Sequence, residues 1–289
     1  MVGAALSLGL AACGSNRGVP ASMLDWNGAF PPFRVAGNIH YVGTNRMAIF
    51  LIATPAGHIL LDSGFEVKVP MLVRNVEALG FHFGDVKILI DSHAHIDHVQ
   101  GHAEVRRLTG ARVLASAADA VVIESGGKHE YAYGDQFSWA PCPVDAIVAD
   151  GEKIELGGTT VTAHLTPGHA RGATTWTMTV PDEDAPDPAS ARRLDVVFYP
   201  SGTVAPGARI VNNPEYPKAV ADFQQSFVTW RRLPCDIFLG SHSQFFDLAG
   251  KWKRLQAGDK PNPFVDHAGY VRTIDEAEAK FRRVVTSQS

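Results

Sequence analysis

The chain has 289 residues, 45% hydrophobic and 19% charged, with a net charge of −4 and a pI near 6.3. That is ordinary globular chain, long enough for one large core, and no second domain is required. The slight acidity offers no basic surface for phosphate backbones, which excludes nucleic acid as a main partner.

Met1 to Cys13 is an apolar stretch too short to span a bilayer, which takes about 20 residues, so residues 1–13 read as a signal-peptide core. Gly14 to Pro32 is rich in Gly, Pro, Ser and Asn and reads as a tether, leaving residues 33–289 as the folded domain. Strands are expected at Ile39–Val42, Ala48–Ala53 and His58–Leu61, with a Pro55-Ala56-Gly57 turn between the last two. A helix over Val69–Leu79, stopped by Gly80, leads to a buried strand at Lys87–Ile90. Another helix follows Gly101, with Val105 and Leu108 at helical spacing and Gly110 as its stop. Ala111–Ala115 is a strand and Ala117–Glu124 a helix; Thr159–Leu165 and Leu194–Tyr199 are strands separated by an exposed loop at Pro181–Ser190. Ala219, Phe223, Phe227 and Trp230 form the stripe of an amphipathic helix between Pro217 and Pro234, and Asp275–Val285 is a charged helix facing inward through Ala277 and Phe281. No internal repeat appears. This alternation of strands and helices gives an α/β fold class.

The chemistry is concentrated in His93-Ala94-His95-Ile96-Asp97-His98, just beyond the Lys87–Ile90 strand. Composition alone would produce His-x-His-x-Asp-His in such a chain on the order of one time in a thousand. Imidazole and carboxylate suit Zn²⁺, Fe or Mn, and a set without thiolates suggests an open, catalytic site. His169, in Thr166-Pro167-Gly168-His169, and His242, in Gly240-Ser241-His242-Ser243, each follow a strand-like run and complete a two-metal constellation. The remaining histidines read as structural: His164 satisfies a hydrogen bond, His102 starts a helix, and His40, His58, His82, His129 and His267 have no ligand-like context.

These motifs resemble the metallo-β-lactamase superfamily, most closely its class B, subclass 3 enzymes. The resemblance runs from Gly37 to Phe281 and includes Leu61-Asp62-Ser63-Gly64, Ala205-Pro206-Gly207, Asn213-Pro214-x-Tyr216-Pro217 and Leu233-Pro234-Cys235-Asp236. It implies an αββα sandwich, with two mixed β-sheets flanked by helices and metals at one edge. It implies two Zn²⁺, one held by His93, His95 and His169 and the other by Asp97, His98 and His242. Asp97 would also orient the nucleophile, and Asp62 would fix a ligand histidine. The implied reaction is hydrolysis of the β-lactam amide by a metal-bound hydroxide, conferring antibiotic resistance.

Three departures touch substrate and cross-links. Gly202-Thr203-Val204 replaces serines that often hold the substrate carboxylate, making Thr203 and Val204 candidate substrate contacts. Phe245 and Phe246, in a bulkier run than usual after His242, would line the pocket or pack. In the enzymes these motifs resemble, the cysteine matching Cys235 usually has a partner in the final helix, where this chain has Tyr270, so that disulfide is expected to be absent; pairing of Cys142 with Cys235 stays open. Leu10-Ala11-Ala12-Cys13 further resembles a lipobox, and with Gly14 it implies an exported, periplasmic protein anchored to the outer membrane through Cys13, taken as a monomer.

Ser125-Gly126-Gly127-Lys128 matches the S-x-x-K of serine β-lactamases, but that pattern needs a helix and two glycines oppose one. Lactonases and glyoxalase II-like thioesterases of the superfamily carry a bridging aspartate between the third and last histidines, where this chain reads Val197-Phe198-Tyr199-Pro200-Ser201-Gly202-Thr203. A non-catalytic zinc-binding lipoprotein is the remaining alternative.

Overall fold

The computed structural model describes residues 21–185 and 192–289. The signal-peptide core, Cys13, the first part of the tether and residues 186–190 of the predicted loop lie outside them.

Two mixed sheets stack face to face with helices on both outer sides, the αββα arrangement. The first sheet holds β1 (Phe33–Ala36), β2 (Ile39–Tyr41), β3 (Phe50–Thr54), β4 (Gly57–Leu61), β5 (Val86–Ile90), β6 (Arg112–Ser116) and β7 (Ala146–Val148), in that spatial order. Pairing is antiparallel up to β4 and parallel from β4 to β7. The second sheet holds β8 (Lys153–Leu156), β9 (Thr159–Leu165), β10 (Thr174–Pro181), β11 (Arg193–Tyr199) and β12 (Ile237–Gly240), antiparallel except for the β11–β12 pair.

The two-residue period of a strand explains the layering. In β3 to β5, Phe50, Ile52, Ile59, Leu61, Ile88 and Ile90 point into the core between the sheets, where they meet Val161, Trp176, Val196 and Phe198. The alternate residues Leu51, Leu60 and Leu89 point outward. There they are covered by α1 (Val69–Ala78), α3 (His102–Thr109) and α4 (Ala117–Ser125), which follow the one-turn helix α2 (Ile96–Val99) or flank it. The second sheet is covered by α5 (Ala219–Arg232) and α7 (His267–Gln288), with α6 (Leu248–Gln256) between them in sequence. Truncating a core residue such as Leu89 to alanine should cost about 2–5 kcal/mol.

Four expectations are corrected. The presumed tether joins the domain at Ala21, where Ala21–Asn27 is a 3-10 helix and Phe30 packs against Phe33, Tyr41 and Trp252. In α3 His102 and Val105 are buried, while Leu108 is 42% exposed, because its step from Val105 carries it off the narrow buried face of an eight-residue helix. The final helix starts at His267, capped by Asp266, eight residues before the charged stretch. Strand β10 runs through Pro181, where the loop was expected to begin. Cys142 and Cys235 are both buried and free.

Candidate metal centre

Every candidate ligand sits beyond the carboxyl end of a strand, at one edge of the sandwich. His93 and His95 follow β5, Asp97 and His98 lie on α2, His169 follows β9, and His242 follows β12. The ligand segment expected as a loop therefore ends in a helical turn. That turn directs Asp97 and His98 one way while the extended residues before it direct His93 and His95 another.

Backbone seams hold these segments together. The N–H of Thr174 donates to Ser92 O (2.9 Å) and the indole N–H of Trp176 to Asp91 O (2.8 Å), joining β10 to the ligand segment. Ala48 N donates to Ser241 O and Ser243 N to Arg46 O, both at 2.9 Å, pinning His242 to the first sheet. Gly168 precedes His169 with φ +140°, and a Cβ there would come within 2.7 Å of the Phe223 ring. Only glycine combines that backbone with that approach.

The result is two groups of donors, His93, His95 and His169 in one, and Asp97, His98 and His242 in the other, each with ligand atoms within 4.8 Å of one another. Ring centroids in the first group form a near-equilateral triangle of 4.6, 4.7 and 4.7 Å. The His93 and His98 rings, 4.1 Å apart, join the groups. In the second, Nε2 of His98 and of His242 lie 3.3 Å apart and face Asp97 Oδ2 at 3.4 and 3.6 Å.

The outward nitrogens are held by fixed partners. His98 Nδ1 lies 2.9 Å from Asp62 Oδ2, and His169 Nδ1 donates to Thr203 O at 2.6 Å. His93 Nδ1 is 3.1 Å from Ser92 Oγ. Asp62, only 1% exposed, also accepts the N–H (2.6 Å) and the hydroxyl (2.8 Å) of Ser92. It does so from a left-handed backbone position, φ +66°, that Asp tolerates better than most residues. Asp62 thus touches His98 directly and His93 through Ser92.

Charge differs between the groups. Burial first, then the neighbouring imidazoles, holds His93 and His169 well below the ordinary imidazole range, leaving their lone pairs free. Burial and then His98 push His242 down to about 3. Burial also opposes charge on His98, but Asp97 and Asp62 together outweigh it and raise its pKa. Burial works against the Asp97 anion too, yet His98 and His242 bring its pKa below the usual carboxylate value.

These donors fit divalent cations. His93 Nε2 is buried without a hydrogen-bond partner, an arrangement that is costly unless a cation takes its lone pair. Three neutral imidazoles, and a carboxylate with two imidazoles, are donor sets used by open zinc sites.

With this geometry in hand, comparison with known proteins is decisive. A sequence profile of the metallo-β-lactamase superfamily matches residues 47–177. Native FEZ-1 metallo-β-lactamase from Legionella gormanii is 42% identical, with a TM-score of 0.86 over 91% of this chain and 98% of that one. The chain belongs to the metallo-β-lactamase superfamily. BJP-1, a subclass B3 metallo-β-lactamase of Bradyrhizobium japonicum, is 33% identical with a TM-score of 0.84, covering 92% of this chain and 98% of that one. Matches to curated relatives are shorter. The N-acyl homoserine lactonase AttM of Agrobacterium fabrum is 28% identical over 168 residues, 46% of this chain and 59% of that protein. A hydroxyacylglutathione hydrolase of Acidiphilium cryptum is 31% identical over 104 residues, 36% of this chain and 34% of that protein. The chain thus matches less than two thirds of the length of either.

The substrate-side candidates divide. Thr203 borders the centre through its carbonyl, and Phe245 stands edge-on to His242 at 5.4 Å. Phe246 is 2% exposed and packs on Phe50 and Phe264, so it is core and not pocket wall; Val204 also packs against the core. Ser125 ends α4 at the left-handed Gly126, with its hydroxyl bonded to Val122 O and Lys128 O, which removes the serine-enzyme reading. His164 bonds Thr177 Oγ1 at 2.9 Å, and His102 starts α3 with Nδ1 2.8 Å from Ser63 Oγ.

Sequence reasoning missed three features. Trp26, in the supposed tether, stands edge-on to His242 at 5.5 Å. Asp91 and Asp119 are both fully buried behind the ligand segment; burial first and then the Asp119 charge raise Asp91 well above the carboxylate range, and burial pushes Asp119 to about 6. Glu130 approaches His95, with Oε1 3.4 Å from its Nε2. A lone Trp within Gly- and Pro-rich chain was the one available signal for the first.

Proposed function

We propose that the chain hydrolyses the β-lactam ring of penicillins, cephalosporins and carbapenems, using two Zn²⁺. The observation that carries this reading is the 42% identity to a metallo-β-lactamase over nearly the whole of both chains. The carboxyl end of β11 supports it: Tyr199-Pro200-Ser201 offers no carboxylate where a bridging one would mark the lactonases and thioesterases. His93, His95 and His169 would hold one ion, and Asp97, His98 and His242 the other. Paired Zn²⁺, when bound, supply Lewis acidity that makes water nucleophilic near neutral pH and offsets negative charge on the leaving nitrogen.

The chain's own groups supply orientation. Asp97, the one carboxylate among the six donors, can accept a hydrogen bond from the attacking water and aim it at the carbonyl carbon. Asp62 and the Thr203 carbonyl fix the tautomers of His98 and His169, so that Nε2 stays an acceptor in each. Trp26 and Phe245 flank His242 with aromatic edges and form an apolar wall against bulk water.

The short matches to a lactonase and a hydroxyacylglutathione hydrolase favour a second reading, ester or thioester hydrolysis by the same centre. Comparing kcat/KM for a penicillin, a cephalosporin, a carbapenem, an acyl homoserine lactone and a glutathione thioester, each with and without chelator, decides between them. β-Lactam turnover that exceeds the others and is abolished by chelation is expected. Faster lactone or thioester hydrolysis than that of every β-lactam would reverse the assignment.

A further inference from the structure

Between α4 and β7 the chain runs from Gly127 to Trp139 as a segment with little regular structure beyond a 3-10 turn at Gly134–Gln136. Two buried side chains hold it: Tyr131, whose hydroxyl donates to Gly168 O at 2.7 Å beside His169, and Glu130. Glu130 is 6% exposed, and its Oε2 accepts the N–H groups of Ala132 (2.8 Å) and Tyr133 (2.7 Å). Its other oxygen, Oε1, lies 3.4 Å from His95 Nε2. The same turn sets the Tyr133 ring 5.3 Å from the His95 ring and 5.4 Å from Phe137. The far end is anchored by Trp139, whose backbone N–H donates to Gly126 O at 3.0 Å and whose ring leaves no room for a Cβ at Gly127.

A buried carboxylate is tolerated only when its oxygens are satisfied. Here one oxygen caps the segment's own backbone while the other approaches the back of a candidate ligand. The 3.4 Å separation is an approach and not a formed hydrogen bond, and Nε2 has no other partner among the described residues; with Nε2 facing Glu130, Nδ1 is the nitrogen His95 could offer a cation. A cation held through Nδ1 would polarise the ring and draw Nε2–H toward the Glu130 carboxylate, which in turn would raise the basicity of the ligand. Any such gain must be mutual, because coupling free energy between two sites is reciprocal.

We propose that Glu130 is a positioning residue that couples the 127–139 segment to the His93, His95 and His169 triad, so that filling the triad tightens the segment and the segment raises the triad's affinity. This rests on the metal reading of the triad. The segment carries Tyr133 against His95, so the coupling would order part of the pocket wall as the metal loads.

The test uses E130Q and E130A, each in an H242A background so that only the first triad is read. Zn²⁺ affinity is measured by competition with a chromophoric chelator, and amide hydrogen exchange at Ala132 and Tyr133 with and without Zn²⁺. E130Q keeps a carbonyl oxygen for the two N–H groups but turns a neutral amide toward His95. It should bind Zn²⁺ about 10- to 100-fold more weakly while its metal-free exchange stays close to that of the parent. E130A should lose both affinity and protection. In the parent, Zn²⁺ should slow exchange at the two amides, and in E130Q it should slow them less. E130Q with parental affinity would overturn the proposal, reducing Glu130 to a cap of its own segment. So would Zn²⁺ binding that leaves parental exchange unchanged. A parent that takes up no Zn²⁺ would overturn the metal reading itself, and the coupling with it.

Discussion

The two donor groups differ both in what composes them and in what surrounds them. His93, His95 and His169 are all imidazoles, and burial keeps His93 and His169 neutral. The other group contains Asp97 and is backed directly by Asp62, and the two carboxylates raise the pKa of His98 against the effect of burial. A cation in the first group would keep its full charge, whereas one in the second would be partly neutralised before any substrate arrives. Paired sites built largely on one short motif thus need not share one chemistry: a cation in the first would suit activation of water, and one in the second would suit reception of a leaving group.

The largest expected effect tests that division. H169A removes one of three neutral donors and should lower kcat/KM by about 10³-fold or more, roughly 4 kcal/mol of transition-state stabilisation. H242A leaves the first triad whole and should cost markedly less, with one Zn²⁺ retained per chain by elemental analysis. Equal losses in the two variants would dissolve the proposed asymmetry.

Asp62 sharpens the comparison one step down. Asparagine is the informative replacement, because it tolerates the left-handed backbone that alanine would strain. Since Asp62 meets His98 directly and His93 only through the Ser92 hydroxyl, D62N should weaken Zn²⁺ binding at the second group by about 10- to 100-fold and at the first by less. S92A should show the opposite bias at smaller size. Chelator competition with both binding steps resolved reads the two affinities, and a D62N effect confined to the first group would contradict the contact order.

Much of this arrangement is legible in the sequence because it follows local rules. Short apolar runs bounded by turn residues mark β3, β4 and β5, buried on both faces, and the four- and three-residue steps of Ala219, Phe223, Phe227 and Trp230 give α5, with all four buried. Strand β10 was readable too, since Trp176, Met178 and Val180 alternate with threonines. The ligand positions are legible because six donors of compatible chemistry each follow a strand. Glu130, Trp26, Asp91 and Asp119 are not, because nothing local to a loop tells whether its carboxylate or indole will be buried by segments distant in the chain. Leu108 shows the same limit from the other side: helical spacing says which residues share a face, and tertiary packing decides how wide that face is.

A surface carboxylate supplies the control for the buried ones. Asp145 lies near the surface, where Arg106 Nη1 and Nη2 donate to its two oxygens, the latter at 3.0 Å, and the N–H of Val113 donates to Oδ2 at 2.8 Å. The Arg106 hydrogen bonds are the main cause that holds its pKa below the ordinary carboxylate value, against a smaller opposing effect of burial. A carboxylate whose folded pKa is depressed adds stability that is present above its unfolded value, near 3.9, and lost as pH falls through the folded value. Solvent screens this pair, so D145N, which keeps an acceptor for Val113, should cost only about 0.2–1 kcal/mol at pH 7. Urea unfolding of wild type and D145N should show that gap constant from about pH 5 to 7 and closing below about pH 4. Zn²⁺ affinity should not change, because Asp145 touches no candidate ligand. A D145N effect on metal binding as large as that of D62N would mean that net charge, rather than contact with the imidazoles, sets the difference between the two groups.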